Sequence, residues 1–339
     1  MRTIVLGKTE LEVSAVGFGG IPIQRLPTDE AVQTIRSALE LGVTFIDTAA
    51  AYGDSEEKIG PAIEDRCDGV VIATKSGRTD GDGLREELEN SLEMLRTDTI
   101  DLYQLHCVSS EEKWTKMRKA GGALPAALKA RDEGLIKHFG VTSHSLDLAL
   151  ALVDVPEFET IQFPFNLVTS EPADELIPAA RDQNLGFIVM KPLCGGQYRN
   201  ATFAFKFLNQ YPDLVPIPGI EKVAEIQEIV RIVDSGETLQ GREKEEAMET
   251  ASRLGKRFCR RCGYCMPCPQ GVPIQTAMTF DSLIERLPPE RLLSGPATRL
   301  AQKAVECVEC GECQEKCPYN LPIIDTVQKN LEKARKILE

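Results

Sequence analysis

Between Ala15 and Val233 one unit recurs eight times, an apolar strand-like run followed by a segment of helical period. The runs are Ala15–Gly19, Val43–Asp47, Gly69–Lys75, Ile100–His106, Lys137–Thr142, Thr160–Phe163, Gly186–Lys191 and Leu214–Pro218. The helical segments are Thr28–Leu41, Ser55–Asp65, Asp82–Leu95, Ala123–Glu133, Ser145–Val153, Pro172–Asp182, Thr202–Gln210 and Lys222–Val233. In the first of these, Val32, Ile35 and Leu39 share a face and Gly42 supplies the stop. Ile4 to Val13 alternates around Gly7-Lys8 and reads as a short hairpin. Eight such units at a period of roughly 30 residues match a (β/α)8 TIM barrel at its usual size of about 250 residues. An open doubly wound sheet is the competing α/β arrangement. Against it, no G-x-G-x-x-G follows the first strand, where a dinucleotide-binding sheet needs one.

Beyond the barrel the composition changes. Asp234 to Gly255 is polar and charged and reads as a linker feeding a helix at Glu243–Leu254. The expected division is a barrel over 1–235, a linker and helix over 236–255, and a small α-helical domain over 256–339. Eight of the chain's 11 cysteines fall in that last part. Cys307, Cys310, Cys313 and Cys317, followed by Pro318, have the spacing of a bacterial-type iron–sulfur run. Cys259, Cys262, Cys265 and Cys268, followed by Pro269, form a second run whose last gap is one residue short. Zinc is the rival ligand for that run, because C-x2-C pairs also suit a tetrahedral ion. Four cysteines packed this closely wrap a cluster more easily than one ion. Both runs, with their trailing prolines, are similar to those of the two-cluster ferredoxins. That resemblance implies two [4Fe–4S] clusters with crossed ligation, one on Cys259, Cys262, Cys265 and Cys317, the other on Cys307, Cys310, Cys313 and Cys268. Cys67, Cys107 and Cys194 are scattered and are expected as small buried apolar residues. Lys256, Arg257, Arg260 and Arg261 crowd the first run and are expected to form a solvated face. Ile274 to Lys303 reads as helix punctuated by proline, and Ile323–Leu338 as an amphipathic helix.

Charge and hydropathy bound the partners. A formal net charge of −13, spread along the chain, lacks the basic stripe that nucleic acid or an anionic membrane needs. The first residues have no apolar signal core, and no apolar stretch is long enough to span a bilayer. A cytoplasmic protein with no membrane span is therefore expected, and there cysteines are metal ligands more often than disulfides.

In a (β/α)8 barrel, catalytic groups sit at the carboxyl ends of strands. Asp47 ends the second strand, with Tyr52 five residues on. Lys75 ends the third, and His106, one of three histidines, ends the fourth. These segments, F-I-D-T-A, the Tyr-Gly that follows, A-T-K and Y-Q-L-H, together with G-V-T-S-H, Q-F-P-F-N, K-P-L-C-G-G and I-P-G, resemble the aldo-keto reductases from the hairpin to about Val233. The whole chain resembles the subset of that family with a C-terminal iron–sulfur domain. The resemblance places the family's catalytic tetrad on Asp47, Tyr52, Lys75 and His106.

The chemistry suits those residue types. Adding hydride to a carbonyl builds charge on oxygen that a proton must meet. A phenol of pKa about 10 is too weak an acid unless its anion is favoured. The Lys75 ammonium is expected to supply that bias, Asp47 to hold the ammonium, and His106 to point a ring N–H at the substrate oxygen.

The resemblance also implies a nicotinamide site on Thr142, Ser143 (or His144 in its role), Gln162 and Asn166, with Met190 where the family commonly stacks a tyrosine. It implies a pyrophosphate cradle on Pro192, Leu193 and Gly195 and on the turn Gly219–Lys222, a helix N-terminus. Lys222 is placed to meet a 2′-phosphate and Glu221 opposes one, so NADP(H) is expected with NAD(H) as the other cofactor. The implied activity is reduction of a small-molecule aldehyde or ketone, or the reverse, with the clusters exchanging electrons with a redox partner protein. A flavin is one way to join two-electron and one-electron carriers, though no flavin fingerprint is present. The alternative is a redox-sensing or electron-carrier protein whose barrel binds nucleotide with little turnover. The insertion Cys107–Gly122, with Trp114, is the expected lid.

Overall fold

The computed structural model describes residues 1–65 and 69–339, so Cys67 lies outside the described residues. The chain opens with an antiparallel hairpin, β1 (Thr3–Val5) and β2 (Glu12–Ser14), which pairs Ile4 with Val13. The alternation then runs β3 (Phe18–Gly19), α1 (Thr28–Glu40), β4 (Phe45–Asp47), α2 (Ser55–Ile63), β5 (Val71–Ser76), α3 (Gly81–Leu95) and β6 (Ile100–Leu105). It continues with α4 (Glu111–Arg118), α5 (Ala123–Asp132), β7 (Ile136–Thr142), α6 (Leu146–Val153), β8 (Thr160–Pro164), α7 (Leu176–Asp182), β9 (Gly186–Met190), α8 (Ala201–Leu208), β10 (Val215–Ile217) and α9 (Val223–Ser235).

Strands β3 to β10 pair in chain order, each parallel to the next. The ring closes where Gly17 N–H donates to Pro216 O (2.9 Å) and Gly19 N–H to Pro218 O (2.8 Å). Close approach at that seam requires glycine, since a Cβ on Gly19 would stand 2.7 Å from Pro218 O. The hairpin plugs the opposite end, where Lys8 N–H donates to Asn184 O (2.7 Å) just before β9 and Leu6 is buried. Buried on both faces, the strands read as apolar runs rather than as alternations, and β5 is buried along its whole length.

One element breaks the eightfold alternation. Between β6 and α5 the expected lid segment instead forms α4, capped by Ser110 Oγ accepting from Lys113 N–H. Trp114 does not swing over the mouth, because it is buried against Phe158 with ring centres 5.8 Å apart.

α10 (Gly241–Gly255) buries Ala247, Ala251 and Leu254 in the barrel's own core, so this segment packs as a barrel helix rather than as a free linker. A second apolar core is built from α11 (Ile274–Met278), α12 (Phe280–Arg286), α13 (Pro289–Leu292), α14 (Thr298–Lys303), α15 (Glu312–Glu315) and α16 (Ile323–Leu338). Pro288 and Pro289 interrupt the stretch 274–303, and Pro296 lies in a π turn, Leu293–Ala297. Val327, Leu331 and Ala334 form the buried stripe of α16. No helix among the described residues is long and apolar enough to cross a membrane.

The helical unit is docked over the barrel's carboxyl-terminal mouth. Arg260 is buried, donates to Val168 O (2.6 Å), pairs with Glu171 (3.5 Å) and lies 3.7 Å from the Tyr319 ring centre. The expected solvated face therefore fails at Arg260, which works as an interdomain fastener. Tyr264 Oη donates to Asp147 (2.6 Å), Ser282 Oγ to Gly195 O (3.3 Å), and Arg291 to Gln24 Oε1 (2.6 Å) and Ala51 O (3.2 Å).

Candidate active site and cysteine cavities

Three successive strands deliver Asp47, Lys75 and His106 to one rim, and the turn after β4 brings Tyr52 to them. That turn is fastened by Ser55, whose hydroxyl donates to Gly20 O (3.0 Å) and shares a hydrogen bond with Thr48 (2.9 Å). Lys75 is buried beneath it and donates to Asp47 Oδ1 (2.7 Å) and Thr48 O (2.5 Å). Gln104 Nε2 donates to the other oxygen of Asp47 (3.5 Å). Burial pushes the Asp47 carboxyl up and the Lys75 ammonium down, and each is opposed by the other's charge. The ammonium lies 5.2 Å from the Tyr52 ring centre, and the His106 ring meets that ring edge-on at 5.7 Å.

These surroundings act on the proton-bearing groups. Burial raises the Tyr52 phenol well above its ordinary range, and Asp47 and Cys107 add to the rise. Arg286 and then Arg261 act in the opposite sense, favouring the anion. His106 is held neutral, its pKa lowered to about 3 by burial and by the charges of Lys75, Lys113 and Arg261. Its place is set from α4, where Lys113 Nζ donates to His106 O (2.6 Å) and Cys107 O (3.3 Å), holding Cys107 at a positive φ of 58°.

A second constellation, not foreseen, lines the same mouth. Cys107 Sγ lies 3.5 Å from His144 Nδ1, and Lys191 Nζ lies 2.7 Å from His144 Nε2. Burial, then Arg261, lowers Lys191 to about 7. His144 thus stands between the Cys107 thiol and the Lys191 amine, with one ring nitrogen toward each. Cys107 is therefore not an inert apolar filler. Cys194 does fit that expectation, being buried, with its thiol donating to Asn166 Oδ1 (3.2 Å) and pushed up to about 12 by burial.

The expected nucleotide residues divide. A cleft of about 520 Å³ is lined by Asp47, Tyr52, His106, Thr142, Gln162, Met190, Pro192, Leu193, Gly195, Gly219 and Glu221. Gln162 is buried with its Oε1 unpartnered, an acceptor left for a ligand donor. Ser143, Asn166 and Lys222 do not line the cleft. Ser143 Oγ closes a turn on Ser145 O (3.2 Å), and Asn166 bonds Lys191 O (2.9 Å) and the N–H groups of Val168 (2.9 Å) and Thr169 (2.8 Å). At the start of α9 the Glu225 carboxylate accepts from the N–H groups of Glu221 (2.8 Å) and Lys222 (3.0 Å). The donors expected to cradle a phosphate thus already hold a carboxylate. Glu221 pairs with Arg25, and Lys222 is exposed. The far wall of the cleft comes from the helical unit, as Arg261, Glu285 and Arg286.

The cysteines line two small cavities in that unit. Cys259, Cys262, Cys265 and Cys317 line one; Cys307, Cys310, Cys313 and Cys268 line the other, with Cys265 between them. All eight are free thiols. Four thiols around each cavity, without disulfides, are a donor set that fits a [4Fe–4S] cluster.

Comparison with known proteins agrees with this geometry. The family model described as "Aldo/keto reductase family" matches residues 15–202, and that described as "4Fe-4S dicluster domain" matches residues 258–322. The aldo-keto reductase YhdN of Bacillus subtilis is 34% identical over 219 residues, which is 58% of this chain and 63% of that protein. L-galactose dehydrogenase of Arabidopsis thaliana is 30% identical over 211 residues, 56% of this chain and 65% of that one. The chain thus spans less than two thirds of the length of these relatives. An aldo/keto reductase of Klebsiella pneumoniae, solved with NADP and acetate, superposes with a TM-score of 0.60 at 23% identity, over 75% of this chain and 95% of that one. At that identity the likeness is one of fold.

Proposed function

Since the chain belongs to the aldo/keto reductase family, we propose that it is an NAD(P)H-dependent oxidoreductase that reduces an aldehyde or ketone to an alcohol. The observation that carries this reading is the buried Lys75–Asp47 pair (2.7 Å) seated under Tyr52, with His106 beside it, at one barrel mouth. The nicotinamide, when bound, supplies a hydride. The chain's own residues do the rest. Tyr52 holds its proton at neutral pH and gives it to the carbonyl oxygen as charge develops there. Lys75, held by Asp47, limits how unfavourable the resulting phenolate becomes. His106, neutral, offers the same oxygen a ring N–H. The same residues run in reverse would oxidise an alcohol. Gln162 Oε1 is the acceptor for a carboxamide N–H. Arg25 neutralises Glu221, which removes the charge that would oppose a 2′-phosphate and so favours NADPH over NADH.

For the helical unit we read two [4Fe–4S] clusters with crossed ligation, because Cys317 joins the first-run cysteines around one cavity and Cys268, with the shared Cys265, joins the second-run cysteines around the other. Their role in this reading is one-electron exchange with a partner protein. The competing reading, an electron carrier or redox sensor with little turnover, draws on Glu225 standing where a phosphate is expected.

The discriminating test is reduction of simple aldehydes by anaerobically purified protein with NADPH. Turnover should fall about 10²- to 10⁴-fold in Tyr52→Phe while NADPH binding survives. Unchanged turnover in that variant sinks the tetrad assignment, and absence of turnover in the wild type favours the competing reading.

A further inference from the structure

We infer that Arg286 and Arg261, lent by the iron–sulfur unit, form an anion subsite beside the tetrad, so that the substrate is an aldehyde or ketone carrying a carboxylate or phosphate group. The inference rests on the carbonyl-reductase reading and names the substrate class of that site.

Arg286 ends α12 and Arg261 lies between two cysteines of the first run, yet both line the cleft that holds Tyr52 and His106. The other charges on that lining are accounted for. Asp47 pairs with Lys75 (2.7 Å), Glu221 with Arg25, and Glu285 with Arg199 (3.6 Å), while Glu225 caps α9. Among the described residues no ion pair is formed by Arg286 or Arg261, and Lys191 adds a third basic group bonded only to the neutral His144. Neither arginine forms a side-chain ion pair among these residues, and the Glu225 carboxylate on the same lining and the Cys259 thiol beside Arg261 are the remaining acidic groups near them.

The two guanidinium groups repel each other, and burial strips hydration from Arg286 while Arg261 stays exposed. An anion entering between them relieves both costs, and a planar guanidinium fork matches a carboxylate or phosphate. The cleft that both arginines line also holds Tyr52 and His106. Of the neighbouring charges, Arg286 and then Arg261 are those that favour a Tyr52 anion, and Arg261 also acts on His106 and His144. Both charges thus reach Tyr52, and they also reach Lys191 behind it. Arg286 also lies near Gly195, its Nη1 3.2 Å from where a Cβ there would stand, so the nucleotide's pyrophosphate is the other source of anion. The experiment separates the two.

Holoprotein with equal iron and sulfide content is prepared as wild type, Arg286→Gln and Arg286→Lys. Each is assayed with 4-carboxybenzaldehyde and with its neutral methyl ester, and NADPH and benzoate affinities are measured by calorimetry. The wild type should prefer the carboxylate. Arg286→Gln should cut the carboxylate-to-ester ratio of kcat/KM about 10- to 100-fold, the range for one charged hydrogen bond, and weaken benzoate by a similar factor. Arg286→Lys should recover part of both. An unchanged ratio and unchanged benzoate affinity overturn the inference. A loss of NADPH affinity with both aldehydes falling together also overturns it, assigning the arginine to the pyrophosphate. If no aldehyde is reduced by the wild type, the carbonyl-reductase reading has failed, and benzoate binding that depends on Arg286 still decides whether the anion subsite exists.

Discussion

Burial acts on the two groups that would meet the carbonyl oxygen, lowering the His106 imidazole and raising the Tyr52 phenol. His106 takes up a proton near pH 6.5 in the unfolded chain and near pH 3 in the folded one. Between those values the unfolded chain binds more protons, so His106 lowers stability progressively as pH falls through that window. Urea titrations of wild type and His106→Gln should show a shallower acid limb in the variant; superimposable limbs would contradict the buried, neutral ring. The rate profile for reduction should likewise lack an imidazole inflection near pH 6.5. Asp47, Tyr52, Lys75 and His106 were legible because the barrel's geometry restricts chemistry to strand ends, and those four sit there or one turn beyond. Cys107, His144 and Lys191 were not. They come from three separate strand ends and meet only through left-handed turns at Cys107 and Lys191, which no spacing announces. Asn166 and Ser143 were legible as site-proximal residues, but their side chains are occupied by local backbone groups.

Among the elements, all eight parallel strands lie where apolar runs bounded by turn residues place them, and their helices follow within a few residues. The unread element is α4, whose sequence E-E-K-W-T-K-M-R is too charged to look like a packed helix. Only Trp114 and Met117 face inward, yet Lys113 on this helix holds the turn that carries His106. Lys113→Met should lower kcat/KM about 10-fold through misplacement of His106, with little change in NADPH affinity. An unchanged rate would mean that the strand alone positions the ring. The start of α9 makes the opposite point, since a helix N-terminus read as a free phosphate cradle is capped by its own Glu225. Glu225→Gln keeps an acceptor but removes the charge, and NADPH should bind about 2- to 5-fold tighter, the scale of one charge at a helix end. Weaker binding would show that the carboxylate supports the nucleotide turn instead.

At the scale of the whole molecule, a barrel and a cysteine-rich cap meet across one cleft. The two halves were readable separately, one from periodicity and the other from cysteine spacing. Their docking was not, because Arg260, Arg286 and Arg291 share no motif and reach Val168, the cleft and Ala51 only once both units are folded. If ligation is crossed as the cavities suggest, Cys317→Ser should change the spectrum of the first-run cluster while the Cys307, Cys310 and Cys313 signal persists; iron and sulfide counts with electron paramagnetic resonance check this. The central claim is that the tetrad guides direct hydride delivery to a carbonyl, independent of the clusters. It is tested most directly by anaerobic turnover with NADPH deuterated at the transferring position of its nicotinamide ring. The account predicts one deuterium on the carbinol carbon of each alcohol formed; an alcohol whose new hydrogen comes from solvent, with electrons drawn through the clusters, would contradict it.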